Sequence, residues 1–194
     1  MFLPLIADFI GRRKGVAYSN DLKVFAAFYY YSLIIQITAT VLASIFHATN
    51  VFLFHFYVPV QIVILSYLLL KWTGIKRETV LISAGFLGSI TIIGDFLFSN
   101  LNEFPDFMLW FTTIVLLLLS FLLSYSNDRK KNHLLCEYNF IHIGIYIYSI
   151  ITLIGTSPTS TPIRLYGYFF QALALIFSNF YFARSFRCLY HKNG

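Results

Sequence analysis

Residues Val24–Leu70 read VFAAFYYYSLIIQITATVLASIF, then HATN, then VFLFHFYVPVQIVILSYLLL. Neither apolar run carries a charge. Each is long enough to cross a hydrocarbon core about 30 Å thick at a helical rise of 1.5 Å per residue. As one continuous helix the stretch would reach about 70 Å, so His47-Ala48-Thr49-Asn50 has to be the tight turn of a hairpin. Four further runs of the same kind follow: Thr79–Phe98, Phe107–Tyr125, Tyr138–Thr156 and Leu165–Ala183. The pattern predicts an all-α fold, an integral membrane bundle of six transmembrane helices. It forms a single transmembrane domain over residues 1–194, because no loop is long enough to hold a second one.

Composition agrees. The chain is 58% hydrophobic and 11% charged, with a mean hydropathy of +0.73. Soluble domains carry about 25% charged residues, so lipid is the expected solvent. The basic residues set the orientation. Arg12, Arg13, Lys14 and Lys23 precede the first span, and Lys71, Lys76 and Arg77 follow the second. Arg129, Lys130 and Lys131 follow the fourth, while Arg184, Arg187 and Lys192 follow the sixth. Of the fourteen Lys and Arg residues, Arg164 alone falls on the opposite side. Retention of cationic loops on the cytosolic side then predicts both termini inside. It also accounts for the net charge of +6 without a nucleic-acid partner. Residues 1–21 contain a short apolar stretch, Phe2–Ile10, broken by Pro4 and Asp8 and followed by the basic cluster. This order differs from a signal peptide and predicts an interfacial segment on the cytosolic surface. Cys136 and Cys188 fall near cytosolic span ends, where a reducing compartment predicts free thiols.

Polar residues inside spans are costly and generally face the bundle or a cavity. At helical spacing, Ser32, Gln36, Thr40, Ala43 and His47 form one stripe on the first span. Ala84, Gly88, Thr91 and Asp95 form one on the third. Asn139, His142, Tyr146 and Ser149 share a face of the fifth, and Gly167, Gln171, Ala174 and Ser178 share one of the sixth. The second span is polar on two faces: His55, Pro59 and Ser66 point one way, while Asn50, Tyr57 and Gln61 point about 120° away. It is therefore expected at the centre of the bundle, with the greasy fourth span facing lipid. Pro59 frees the carbonyl of His55 and is the expected hinge.

Depth sorts these groups into two constellations. The outer one holds His47, His55, Tyr57 and Asp95, with His55 and Asp95 both roughly 6–8 Å deep by helical rise. It is a candidate ligand or proton site if Asp95 pairs with His55 or orients its tautomer, and otherwise a polar contact that holds helices together. The inner one holds Glu137, Asn139, His142 and Asn179. It is a candidate proton relay or headgroup site, or a set of interhelical hydrogen bonds. The tyrosine run Tyr29-Tyr30-Tyr31 is expected in the packed core, although such rings could also clasp a planar ligand.

The chain has no paired Cys-x-x-Cys, His-Glu-x-x-His, Gly-x-Ser-x-Gly or phosphate-binding glycine loop. No cofactor and no metal site is therefore expected, and no catalytic residue can be named.

The stretch Asn50-Val51-Phe52-Leu53-Phe54-His55-Phe56-Tyr57-Val58-Pro59 resembles a signature of small uncharacterised bacterial multi-span membrane proteins, in which an aromatic-rich helix carries His-x-Tyr-x-Pro. Those proteins usually have an acid soon after the proline, where this chain has Gln61. The resemblance implies a bacterial inner-membrane location and a special role for His55, Tyr57 and Pro59. It implies no activity.

Three functions follow as expectations. The first is a small non-enzymatic sensor, channel or transporter-like module with a polar pocket near the outer side. The second is a membrane effector or accessory subunit that forms a homo-oligomer or meets a cytosolic partner through the basic loops, for example by permeabilising the membrane in a defence system. The third is a lipid-modifying enzyme.

Overall fold

The computed structural model describes residues 2–47, 50–99, 106–130, 136–155 and 161–188. These form seven helices: α1 (Phe2–Arg13), α2 (Asn20–Ser44), α3 (Phe52–Trp72), α4 (Arg77–Phe98), α5 (Asp106–Lys130), α6 (Cys136–Gly155) and α7 (Thr161–Cys188). No strand occurs among the described residues. The helices α2 to α5 are long and apolar enough to cross a membrane, and α6 carries a shorter apolar stretch, Tyr138–Leu153. This is the architecture of a membrane-embedded helical bundle. The side chains of Glu137, of residues 161–172 and of Ala174 lie outside the described set, and with them the expectations placed on Arg164, Gly167 and Gln171.

Local chemistry sets the helix ends. Ser19 caps α2, its side chain accepting from Leu22 N–H at 3.3 Å, and Asp21 lies in the first turn, where a negative charge suits the helix dipole. Gly15 (φ 68°) closes α1: Gly15 N–H bonds Arg12 O and Val16 N–H bonds Gly11 O, both at 3.1 Å. That pairing ends a helix by a left-handed residue which glycine adopts without a side-chain clash. Gly74 (φ 82°) plays the same part after α3.

The helix α3 is the centre. In its apolar window 61% of residues are buried, against 33% in each of α2, α4 and α5. Its neighbours α2, α4 and α5 pack around it, with α6 and α7 paired on the far side and α1 laid against α7. The expectation that the fourth span would face lipid most is corrected here. The helix α5 is no more exposed than α2 or α4, because Met108, Leu109, Thr112, Thr113, Leu116, Ser120 and Leu123 form a continuous buried stripe on it. In α4 the buried face is Val80, Ala84, Gly88, Thr91 and Asp95. A Cβ at Gly88 would run into the Val63 side chain of α3, so the small residue sets how closely the two helices approach.

The N-terminal helix is more than a surface layer. Leu3, Ile6, Phe9 and Ile10 are exposed on one side, but Asp8 is fully buried on the other. Arg12 Nε donates to both Asp8 oxygens, at 3.1 and 2.9 Å, and Tyr30 O–H donates to Asp8 Oδ2 at 2.8 Å. Tyr18 O–H donates to the Asp8 carbonyl at 3.1 Å.

Candidate functional site

Two polar features lie on opposite faces of α3. Because α3 and α4 are antiparallel neighbours, the fourth residue of α3 meets the fourth residue from the end of α4, each about 5 Å from its helix end by helical rise. There His55 Nδ1 lies 2.6 Å from Asp95 Oδ2, and both residues are buried. A contact this short needs a proton between the two atoms, so His55 either donates its Nδ1–H as the neutral ring or stands as imidazolium against a carboxylate. The second carboxylate oxygen, Asp95 Oδ1, is buried without a hydrogen-bond partner among the described residues. Leaving such an atom unmade is costly, and it marks a place where another proton or donor would be accepted. Pro59 lies one turn deeper in α3 and removes the backbone bond to the His55 carbonyl.

The other face of α3 looks into the bundle. Tyr57 and Gln61 line a cavity of about 60 Å³ together with Tyr29, Ser32, Ser178 and Asn179, walled by the rings of Phe25, Phe28 and Phe182. Tyr29 O–H donates to Asn179 Oδ1 at 2.9 Å, while Gln61 Oε1 and Ser178 Oγ are buried without partners among the described residues. The volume has room for about two waters at ~30 Å³ each and is too small for a ring-sized ligand. The three consecutive tyrosines diverge: Tyr29 turns to this cavity, Tyr30 to Asp8, and Tyr31 donates to the Phe56 carbonyl at 3.3 Å and stacks on Tyr57.

The sequence-derived constellations are therefore redistributed. His55 and Asp95 are brought together. Tyr57 belongs to the central cavity, about 200° around α3 from His55. His47 is exposed beyond the end of α2, where its backbone turns out at φ 48°. No group of three His, Cys, Asp or Glu side chains able to hold a metal forms among the described residues, so His47 completes no such set with the pair. In the inner constellation, His142 Nε2–H donates to the Ser120 carbonyl of α5 at 3.0 Å, whereas Asn179 turns to α2. Asn139 is exposed, and the Glu137 side chain lies outside the described set. The polar stripe of α2 is covered only at Ser32; Gln36, Thr40, Ala43 and His47 face outward.

Two acids missed by the sequence reading are buried near the basic end. Asp8 is held by Arg12 and Tyr30 as described above. Asp21 is paired with Lys71 and accepts from Trp72 Nε1 at 3.1 Å, and Trp72 stacks on Tyr138 at 4.8 Å. The signal for Asp8 was present, since Asp8 and Arg12 stand four apart on one helix face. Hydrogen bonding by Asp8, more than its charge alone, raises the Arg12 pKa above its ordinary value. The expectation of free thiols is also corrected. The ends of α6 and α7 meet, Cys136 and Cys188 come within a Cα separation of 6.1 Å, and they form a disulfide.

No protein-family model matches the chain, and no curated protein or solved structure is similar to it.

Proposed function

We propose that the protein is a non-enzymatic module of the bacterial inner membrane, with six spans and both termini on the cytosolic side, whose His55–Asp95 pair near the outer surface binds a proton. The observation that carries this reading is a buried imidazole 2.6 Å from a buried carboxylate whose second oxygen has no partner among the described residues. Histidine is the side chain that changes charge near neutral pH. A helix that lacks one backbone hydrogen bond at Pro59 and a small polar cavity on its other face give protonation a structural element to act on. Sensor and transporter-like roles both fit this description. In vesicles containing a trapped pH dye, an acid pulse applied to the wild-type protein should give proton binding that His55→Gln and Asp95→Asn each remove while folded protein is retained. Unchanged binding in both variants would sink the proposal.

A second reading, an oligomeric membrane effector or accessory subunit, is favoured by the outward stripe Gln36, Thr40 and Ala43. An amide facing hydrocarbon is stabilised by a partner helix. Here Gln36→Leu should abolish cross-linked oligomers and dye leakage on overexpression. A monomer with intact membrane potential in the wild type would rule this out.

A further inference from the structure

Beyond the proton site, the basic end of the bundle carries a groove with the shape and chemistry of an amphiphile site. The residues Phe180, Ala183, Arg184, Arg187 and Cys188 recur on α7 at spacings that form one stripe. That stripe, with Cys136 and Phe140 of α6 and Leu3 of α1, lines an open groove of about 520 Å³. Its walls are apolar, and its polar lining includes the two guanidiniums. Arg184 sits over the Phe140 ring at 5.1 Å, which holds its fork at the groove edge. Among the described residues neither Arg184 nor Arg187 has a carboxylate within ion-pair distance, unlike Arg12 and Lys71. Phe180 and Leu3, each more than half exposed, continue the apolar surface away from the cations.

We infer that this groove binds an anionic phospholipid, its phosphate held by Arg184 and Arg187 and an acyl chain laid along Phe180 and Leu3. Guanidinium forks match phosphate oxygens in pairs. The adjoining apolar wall selects an amphiphile over a free anion. The volume is that of a ligand pocket, far larger than the central cavity. The assignment rests on charge and shape at this groove alone and is independent of the His55–Asp95 reading.

The test is native mass spectrometry of the full chain released from detergent after equilibration with dioleoyl phosphatidylglycerol, dioleoyl phosphatidylcholine or inorganic phosphate. The wild type should retain phosphatidylglycerol over phosphatidylcholine by about 30-fold, from two cations near the lipid surface. The variant R184Q/R187Q should lose that preference, and K76Q/R77Q, basic but outside the groove, should keep it. Should R184Q/R187Q not fold, Leu3→Glu places a repelling charge on the opposite wall at an exposed position and should also weaken retention. An unchanged preference in the folded R184Q/R187Q, or in Leu3→Glu where that variant is the one used, would overturn the proposal. So would an equal loss in K76Q/R77Q, which would mean general surface charge. Displacement of the lipid by millimolar inorganic phosphate would likewise overturn it, in favour of a free-anion site.

Discussion

The two ends of the bundle treat a buried carboxylate differently. At the basic end, Asp8 and Asp21 are held by groups whose charge does not change in any ordinary buffer, Arg12 and Lys71, with Tyr30 and Trp72 donating to the remaining lone pairs. At the other end, Asp95 is held by His55, a neutral ring or an imidazolium, and one of its oxygens has no hydrogen-bond partner among the described residues. The first arrangement is a clamp, and the second is the pair proposed to bind a proton. The chemical difference lies in the partner, not in the acid.

The largest loss is expected at the His55–Asp95 pair. His55→Leu leaves Asp95 buried without its partner and should cost about 3–5 kcal/mol, read as a fall in thermal unfolding temperature in detergent. The double variant H55L/D95L should recover most of that loss, since two apolar side chains need no counter-charge. If the double variant is as unstable as the single one, packing and not the ion pair is responsible.

The disulfide that ties α6 to α7 at the basic end comes next. Closing a chain separation of 52 residues contributes at most ~4 kcal/mol in the chain-entropy account, so Cys136→Ser should lower stability by an amount that reducing agent reproduces in the wild type. Absence of any mobility difference on reduction would place the two thiols apart. The redox state also bears on orientation. Labelling of whole cells with an impermeant maleimide, before and after reduction, reports on which side of the membrane this end lies.

A smaller effect is expected from Gly88→Ala, which pushes Val63 and the α3–α4 seam apart at a cost of about 1–3 kcal/mol. It should weaken proton binding as well, because His55 and Asp95 sit on the same seam. Stability lost with proton binding unchanged would mean that the pair is positioned by something other than helix approach.

Least affected should be the clamp. Arg12→Gln removes a charge from a side chain that is 56% exposed, so solvent screening limits the loss to ~1 kcal/mol, with Tyr30 still donating to Asp8. Its pH dependence is the sharper contrast. A base whose pKa is raised on folding contributes stability fully present below its unfolded pKa and lost only as pH rises through the folded one. For Arg12 that window lies above the ordinary arginine pKa, so its contribution does not fade as pH rises from neutral to mild alkali.

Much of this was legible in the sequence. Each predicted span falls on a helix, α2 to α7, of which α2 to α5 are long and apolar enough to cross a membrane, and His55 lies on a different face of α3 from Tyr57 and Gln61. Equal depth on antiparallel spans was enough to suggest that His55 and Asp95 could meet. What could not be read was which neighbour a face would find. His142 bonds a backbone carbonyl of Ser120, an acceptor that every residue offers. The α2 stripe has the periodicity of a buried face but points outward beyond Ser32, since periodicity defines a face and not what covers it. Asp8 was read as a break in a surface segment, because the Tyr30 hydroxyl that donates to it and the helix α7 on which α1 packs are distant in sequence. The thiols were assigned by compartment, whereas the meeting of two helix ends decides their pairing.

The central claim is that His55 and Asp95 form one buried pair that shares a proton. Infrared difference spectra recorded between acid and neutral pH test it directly. The wild-type protein should give carboxyl and imidazole bands that appear together, and both His55→Gln and Asp95→Asn should remove the pair of bands, as expected for coupled groups. A carboxyl band that persists unchanged in His55→Gln, or a spectrum of Asp95→Asn identical to the wild type, would contradict the account.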